Sequence, residues 1–344
     1  MGRRITEIRP STAFATVDLD GPGKQTGFVM IPHSPDDDAW GATRVPIAVV
    51  SNGNGPTVIL EGGNHGDEYE GPIVIAELIR DLDPGEIEGR LILMPSNNVH
   101  AAMAGRRTSP VDGLNFNRTF PGDPGGTITR QISAFIVDHL FPRADAFLDL
   151  HSGGSSLTMI PSAIVEPTED GELAARNMAA ARAFDAPLTV IVGNLGDTRT
   201  ATAAACQAGL VTVGTEMAGG GTVTPEALAL CRRGVRNVLA YLGVMAPEQA
   251  APPRGDGRIM ELPGSDAYVF ATADGVFEPF HELGRAVSAD EPAGRIHVPW
   301  DPVRKPETLA YRADGILYGR RQPGRVKPGN CCLVVAAPYG GTRV

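Results

Sequence analysis

Long hydrophobic segments, cysteine pairs and an excess of basic residues are all missing from this 344-residue chain. No run approaches the roughly 18 consecutive apolar residues that span a bilayer, and the N-terminus has no apolar stretch of the kind found in secretory signals. The four cysteines include no CxxC pair, so we interpret them as reduced residues that pack in the interior. These absences predict a soluble protein of the cytoplasm.

The chain carries 40 acidic and 30 basic residues, which gives a net charge of −10 at pH 7. Nucleic acids and anionic membranes bind proteins through basic patches that neutralise phosphate. The charge therefore argues against nucleic acid and membrane as partners. A homo-oligomer is compatible with the sequence.

Two domains are expected, because a single hydrophobic core rarely serves more than roughly 250–300 residues. A stretch rich in proline and glycine at 245–258 has the composition of a linker. It predicts a first domain at 1–245, which includes an N-terminal β extension at 1–44, and a small second domain at 246–344.

The first domain alternates β-branched segments with amphipathic ones, a pattern typical of α/β proteins. Strand candidates such as TVILEGG and ADAFLDLHSG are separated by segments such as EGPIVIAELIRDL, whose apolar residues recur every three or four positions. This alternation predicts a mixed, mostly parallel sheet with helices on both faces.

The second domain consists of short β segments broken by glycine and proline. Two of them share the tripeptide Ala-Asp-Gly followed by two apolar residues, at Asp274 and Asp314. Such an internal repeat predicts a small all-β domain with pseudo-twofold symmetry, similar to the barrel-sandwich fold of biotinyl and lipoyl domains. Neither copy has a lysine at its central turn, so we interpret this domain as a structural or assembly module.

Three residues near predicted strand ends have the chemistry of metal ligands. His65 and Glu68 lie three positions apart where one strand ends, and His151 ends a second strand. An isolated HxxE pair is more often a surface pair or a helix cap, but α/β sheets place ligand sites at the carboxyl ends of strands. Catalytic zinc is bound by three such side chains and keeps one open position. The sequence thus predicts a site for one zinc ion per chain.

Glu216 follows another strand candidate and precedes a run of glycines. A carboxylate directly after a buried strand is costly unless it is paired or functional. We interpret Glu216 as a general base that takes a proton from a metal-activated water and passes it to the leaving group. A structural salt bridge is the alternative.

The loop segment AGRRTSPVDGLNFNRTFPG contains the candidate substrate-binding residues Arg107, Asn117 and Arg118. Arginine can bind a carboxylate through two hydrogen bonds, asparagine can add another, and a second arginine can stabilise an oxyanion. Taken alone, such a loop is more often a solvated surface.

The segments HGDE, LDLHSGG, NRTFPG and GTEMAGGG together resemble the succinylglutamate desuccinylase/aspartoacylase family, which is related to the zinc carboxypeptidases. The resemblance implies the zinc ligands named above and a general acid/base role for Glu216. It also implies that Asn117 and Arg118 bind the substrate carboxylate and that Arg107 polarises the scissile carbonyl.

A narrower resemblance covers nearly the whole chain. The segments IPHSPDDDAWG, GGNHGDEYEGPI and AGRRTSPVDG resemble the branch of this family that deacetylates an acetylated 2,4-diaminobutyrate in ectoine degradation. The resemblance implies a small-molecule partner, an N-acyl amino acid whose amide bond is hydrolysed. Asp112 and Glu70 are candidates for the acidic residue that would bind the side-chain ammonium of such a substrate.

Two other functions stay open. The same site would serve a succinylglutamate desuccinylase, an aspartoacylase or a carboxypeptidase-like peptidase. A protein of another class, an inactive metal-binding or assembly module, is the second alternative. The joint presence of the ligands, the base and the carboxylate-binding pair counts against it.

Overall fold

A computed structural model describes residues 9–255 and 257–341 of the chain. Residues 1–8 of the predicted N-terminal extension and residues 342–344 of the predicted second domain lie outside the described residues. In the described part, no helix is long and apolar enough to cross a membrane.

Six α-helices and nineteen β-strands occur in these ranges. The helices, α1 to α6, are Glu70–Asp81, Val99–Ala104, Ile128–Phe135, Gly171–Ala183, Ala201–Gln207 and Pro225–Tyr241. Strands β1 to β10 are Phe14–Ala15, Gly23–Pro32, Ala42–Asn52, Thr57–Gly62, Gly89–Met94, Ala146–Leu150, Leu157–Met159, Ser162–Val165, Leu188–Ile191 and Val211–Glu216. Strands β11 to β19 are Arg258–Glu261, Tyr268–Phe270, Gly275–Pro279, Ala286–Val287, Pro292–His297, Glu307–Ala310, Gly315–Arg321, Arg325–Val326 and Cys331–Pro338.

Most of the strands belong to one sheet with the order β1-β2-β3-β5-β4-β6-β10-β8-β9-β11-β19-β17-β14. Its centre is parallel, because β4 runs parallel to β5 and β6, and β6 runs parallel to β10. Strand β8 is antiparallel to β10, and both edges of the sheet are antiparallel. The predicted mixed α/β sheet is confirmed, but it is not mostly parallel: its parallel pairs are confined to the interior, and the strands added at both edges pair antiparallel.

Helices cover the two faces of the central sheet, as predicted. Alternate residues of a strand point to opposite faces. Val58 and Leu60 of β4 pack in a hydrophobic core with residues of α1, α4 and α6. Ile59, between them, packs in a second core with residues of α3 and α5. Both cores are built from buried aliphatic and aromatic side chains, whose removal from water is the main stabilising contribution.

The chain after residue 258 both extends the central sheet and forms a smaller one. Strand β11 runs parallel to β9 and antiparallel to β19, so the central sheet continues past the domain boundary near residue 245, which stays a prediction. The smaller sheet has the order β16-β15-β13-β18. The two Ala-Asp-Gly repeats lead into β13 and β17, and each of these strands pairs with a two-residue strand that follows the other repeat, β18 or β14. The two copies of the predicted repeat therefore pair with each other through these short strands.

Strands β4, β6 and β10 lie side by side, and their carboxyl ends meet at one edge of the sheet. The loop after β4 is tied to the segment that follows α2, since the backbone N–H of Gly66 donates to the carbonyl of Arg106 at 2.9 Å. A Cβ atom at Gly66 would lie only 2.0 Å from the carbonyl carbon of Ala101, so only glycine fits there. The close approach fixes the position of the residues that follow Gly66.

Gly234 on α6 offers a test of how closely this helix packs against Phe184, the residue that follows α4. A Cβ atom at Gly234 would lie 2.3 Å from the buried ring of Phe184. Gly234→Ala is therefore expected to lower the free energy of unfolding by about 1–3 kcal/mol, the usual cost of overpacking. That cost exceeds the gain of up to about 1 kcal/mol in helix propensity.

Gly171, the first residue of α4, provides the matched control, because it is exposed and a Cβ there would meet no atom within 4 Å. Gly171→Ala should leave stability unchanged or raise it slightly. Urea unfolding curves of the two variants measure the difference, and equal midpoints would contradict the packing described for Gly234.

Candidate active site

His65, Glu68 and His151 converge where β4 and β6 end. All three side chains are buried, and their potential ligand atoms lie within 4.8 Å of one another. His65 and Glu68 belong to the loop between β4 and α1, whereas His151 directly follows β6. The group has the composition expected of a catalytic zinc site.

The orientation of both histidines suits a shared cation. Nδ1 of His65 lies 2.7 Å from Oε1 of Glu68, and Nδ1 of His151 lies 2.7 Å from Oε2. On the outer side, Nε2 of His65 lies 3.0 Å from Oδ1 of Asn115, and Nε2 of His151 lies 2.8 Å from Oδ2 of Asp149. An N–H at Nε2 of each ring can donate to these oxygens, while both Nδ1 atoms face the shared centre. The donor set therefore fits a metal ion.

Burial and nearby charges shift the pKa values of this group in opposite directions. Burial alone would lower the pKa of His151, but Asp149 and Glu68 hold that pKa well above its ordinary value. Burial outweighs Glu68 at His65 and lowers the pKa of that imidazole. Burial would raise the pKa of Glu68, yet His65 and His151 hold it well below its usual range. The centre thus keeps an ionised carboxylate, which favours a bound cation.

A second buried carboxyl group, that of Glu61 on β4, lies close to Asp149, the residue that contacts His151. Burial and the nearby charge of Asp149 raise the pKa of Glu61 well above its usual value. Asn97 Nδ2 donates to Oε2 of Glu61, and Asn64 Nδ2 donates to Oε1 at 3.4 Å. A protonated Glu61 can donate a hydrogen bond to Asp149, whose Oδ2 lies 2.8 Å from Nε2 of His151.

Glu216 is the last residue of β10, the neighbour of β6. Its Oε2 is buried and has no hydrogen-bond partner in the described part of the chain. Burial, together with the negative charge of Glu68, raises the pKa of Glu216 to about 8. A carboxyl group with this pKa can exchange a proton near neutral pH.

Arg107 reaches the centre from the loop after α2. Its Nη1 lies 3.5 Å from Oε1 of Glu68 and 3.3 Å from Nδ1 of His65. The side chain is 43% exposed, so the guanidinium lies between the centre and solvent. A donor in this position can stabilise negative charge that develops beside the metal ligands.

Asn117 lies beside His151, and Arg118 is the next residue along the chain. Asn117 Nδ2 is 3.3 Å from Nε2 of His151, and its Oδ1 accepts from the backbone N–H of Ala201 at 2.8 Å. Arg118 forms an ion pair with Asp197, with Nε 3.0 Å from Oδ2. Both side chains are therefore held in place by the protein before any substrate binds.

One cavity of about 460 Å³ unites these groups. It is lined by the predicted metal ligands, the predicted base and the predicted binding residues of the loop: His65, Glu68, Arg107, Asn117, Arg118, His151 and Glu216. The structure brings these residues together, whereas their individual roles stay predictions.

The opposite wall of the cavity comes from the C-terminal part of the chain. It includes side chains of β12, β17 and β19 and of the segment before β12: Leu262, Tyr268, Phe270, Tyr318, Cys331 and Val334. The sequence suggested a structural or assembly module for this region. Its short strands gave no sign that they would border the site.

The two acidic residues proposed for a substrate ammonium do not line the cavity. Asp112 accepts from the backbone N–H of Thr129 at 3.0 Å and from its hydroxyl at 2.8 Å, which holds the start of α3. Glu70 is the first residue of α1 and is buried. Nearness in sequence to the site residues was therefore misleading in both cases.

Comparison with known proteins places this site in a family. The family model for the succinylglutamate desuccinylase/aspartoacylase catalytic domain matches residues 54–242. The N-alpha-acetyl-L-2,4-diaminobutyric acid deacetylase of Halomonas elongata is 39% identical over 339 residues, 98% of each chain.

Two solved structures extend the similarity to the whole fold. The product-bound ectoine utilization protein EutE (DoeB) from Ruegeria pomeroyi is 36% identical, with a TM-score of 0.91 over 96% of this chain and 100% of that chain. A succinylglutamate desuccinylase/aspartoacylase from Rhodobacter sphaeroides is 41% identical, with a TM-score of 0.90 over the same shares. The family model spans more than half of the chain and includes His65, Glu68, His151 and Glu216. The chain therefore belongs to the succinylglutamate desuccinylase/aspartoacylase family.

Proposed function

We propose that this chain is a zinc-dependent amidohydrolase that converts Nα-acetyl-L-2,4-diaminobutyrate into acetate and 2,4-diaminobutyrate. The observation that carries the proposal is the convergence of His65, Glu68 and His151 with Glu216 in one cavity. The substrate is suggested by the deacetylase of Halomonas elongata, to which the chain is similar along almost its full length.

The metal would be held by Nδ1 of His65, the carboxylate of Glu68 and Nδ1 of His151. When bound there, zinc supplies Lewis-acid activation of a water molecule and of the scissile carbonyl. Asn115 and Asp149 hold the Nε2 atoms of the two histidines, which keeps both rings in the orientation that metal binding needs.

Glu216 would act as the general base and then as the general acid. Its Oε2 has no competing partner in the described part of the chain, so it is available to accept a proton from the attacking water. The water oxygen bonds to the acetyl carbonyl carbon, and the carbon–nitrogen bond then breaks. Glu216 then returns the proton to the departing amino nitrogen, which leaves as the free amine.

The remaining polar side chains would orient the substrate. Arg107 donates to the carbonyl oxygen as negative charge develops on it. Arg118 and Asn117 bind the α-carboxylate, which fixes the amide relative to Glu216. The contact between Arg118 and Asp197 holds the guanidinium in position for this role.

The substrate assignment is tested by a panel of N-acyl amino acids and short peptides, assayed with zinc present. We expect the highest kcat/KM for Nα-acetyl-L-2,4-diaminobutyrate, with lower values for acetyl-aspartate and succinyl-glutamate. Cleavage of peptides alone would contradict the deacylase assignment, and a preference for acetyl-aspartate or succinyl-glutamate would contradict the substrate.

Loss of any proposed ligand should remove both metal and activity. His65→Ala, Glu68→Ala and His151→Ala are each expected to lower zinc content and abolish hydrolysis, because a site with two protein ligands binds zinc far less tightly. Elemental analysis of protein purified without chelator measures the metal. His297→Ala alters a half-exposed histidine far along the chain and should keep both zinc and activity. A His151 variant with full zinc content would refute its assignment as a ligand.

Replacement of Glu216 by glutamine separates proton transfer from metal binding. The amide keeps the size of the side chain but cannot accept the proton, so kcat should fall by about 10²–10⁴-fold, the range that general-base catalysis supplies. Zinc content should stay at the wild-type level. Retained activity would disprove the proposed base, and lost zinc would make Glu216 a metal ligand.

A further inference from the structure

The cavity contains another buried carboxyl group, that of Glu166, for which the proposed reaction has no use. Glu166 directly follows β8 and is 8% exposed. The hydroxyl of Thr202 donates to its Oε2 at 3.0 Å. Within the described ranges no basic side chain forms an ion pair with Glu166, since the neighbouring Arg118 is paired with Asp197.

A buried carboxylate with a single neutral donor is energetically costly. Burial raises the pKa of Glu166 to about 7, while the hydroxyl of Thr202 and the charge of Arg118 act weakly in the opposite direction. A cationic group brought by a ligand would offset the cost and favour the ionised form. The carboxyl group of Glu166 is therefore suited to bind a cationic group of a ligand.

Strand pairing gives the spacing between Glu166 and the reacting centre. Glu216 pairs with Ser162 on β8, and Glu166 is four residues further along, so the Cα atoms of Ser162 and Glu166 are about 13 Å apart at roughly 3.3 Å per residue. Alternate residues share a face, so Glu166 points to the same side of the sheet as Ser162 and Ile164. Ile164, Glu166 and Glu216 all line the cavity.

This spacing matches the proposed substrate. The bonds from the acetyl carbonyl carbon to the side-chain ammonium extend over about 6 Å. Polar contacts of about 3 Å at each end let one molecule bridge two carboxyl groups about 12 Å apart, a span of the same order as the separation of the two backbone positions. The cavity between the two is bordered by apolar side chains such as Val192 and Leu262, which suit the methylene groups of the substrate.

The charge pattern next to Glu166 also fits. Arg118 would bind the α-carboxylate, and it is close enough to Glu166 for its charge to lower the pKa of that carboxyl group. A 2,4-diaminobutyrate side chain carries its ammonium only two methylene groups beyond the carbon that bears the carboxylate. Neighbouring positive and negative groups in the cavity therefore complement the neighbouring charges of the substrate.

We propose that Glu166 determines specificity by binding the side-chain ammonium of the substrate, an inference that rests on the proposed function of the site. The subsite would select acetylated amino acids with a short cationic side chain over neutral ones of the same shape.

Two substrates test this inference in wild-type protein and in Glu166→Gln. Nα-acetyl-L-2,4-diaminobutyrate is compared with Nα-acetyl-L-norvaline, in which a methyl group replaces the ammonium. The variant should raise KM for the cationic substrate by about 30-fold or more, the lower end of what a buried charge pair supplies. Its kcat/KM for the norvaline compound should stay within about twofold of wild type, and zinc content should not change.

Control variants separate recognition from folding. Glu169→Gln alters an exposed carboxylate three residues away and should leave both substrates unaffected. Glu166→Asp keeps the charge on a shorter side chain and should retain part of the preference for the cationic substrate. A folded aspartate variant without this preference would contradict the proposal.

The remaining outcomes distinguish the inference from the function on which it rests. Equal losses on both substrates in Glu166→Gln would show a structural role and overturn the inference. Equal kcat/KM values for the two substrates in wild type would also overturn it, but would leave the hydrolase function standing. If zinc-loaded wild type hydrolyses neither compound, the proposed function is wrong and the inference falls with it.

Discussion

The carboxylate of Glu68 lies 2.7 Å from Nδ1 of both His65 and His151, and much of the surrounding structure serves this contact. A side chain that is only 3% exposed can stay ionised only where positive charge or hydrogen-bond donors replace water. Asn115 and Asp149 contact the Nε2 atoms of the two rings, which holds both Nδ1 atoms toward Glu68. Adjacent parallel strands β4 and β6 then hold the two histidines at one edge of the sheet.

Burial and the charge of neighbouring groups also give three glutamate side chains of the site different pKa values. Glu68 stays ionised because two histidines face it, whereas burial and the charge of Glu68 raise the pKa of Glu216 to about 8. Glu166 lies further along the sheet, beside Thr202, and burial raises its pKa to about 7. One carboxylate is suited to a metal, one to proton transfer and one to a cationic ligand, and their surroundings alone set the difference.

The sequence allowed the α/β fold and the convergence of the ligands to be predicted, because strand ends and local spacing are encoded in short segments. His65 and Glu68 are three positions apart, and His151 follows a buried strand. Asn115 and Asp149 could not be assigned, since a hydrogen-bond partner across the chain depends on tertiary packing. Glu166 follows a buried strand just as Glu216 does, but the polar Pro-Thr-Glu-Asp segment after it has the composition of a solvated loop. Pairing of the C-terminal strands with the central sheet likewise depends on long-range contacts that leave no local pattern.

The cavity is assembled from two distant stretches of the chain. The proposed metal-binding and acid/base groups come from residues before 217, and the facing wall comes from side chains between residues 262 and 334. The wall contributes shape and apolar surface, and none of its members belongs to the proposed metal-binding group. Divergence within the C-terminal stretch can therefore change which amino acid the cavity accepts while the hydrolytic chemistry is inherited intact.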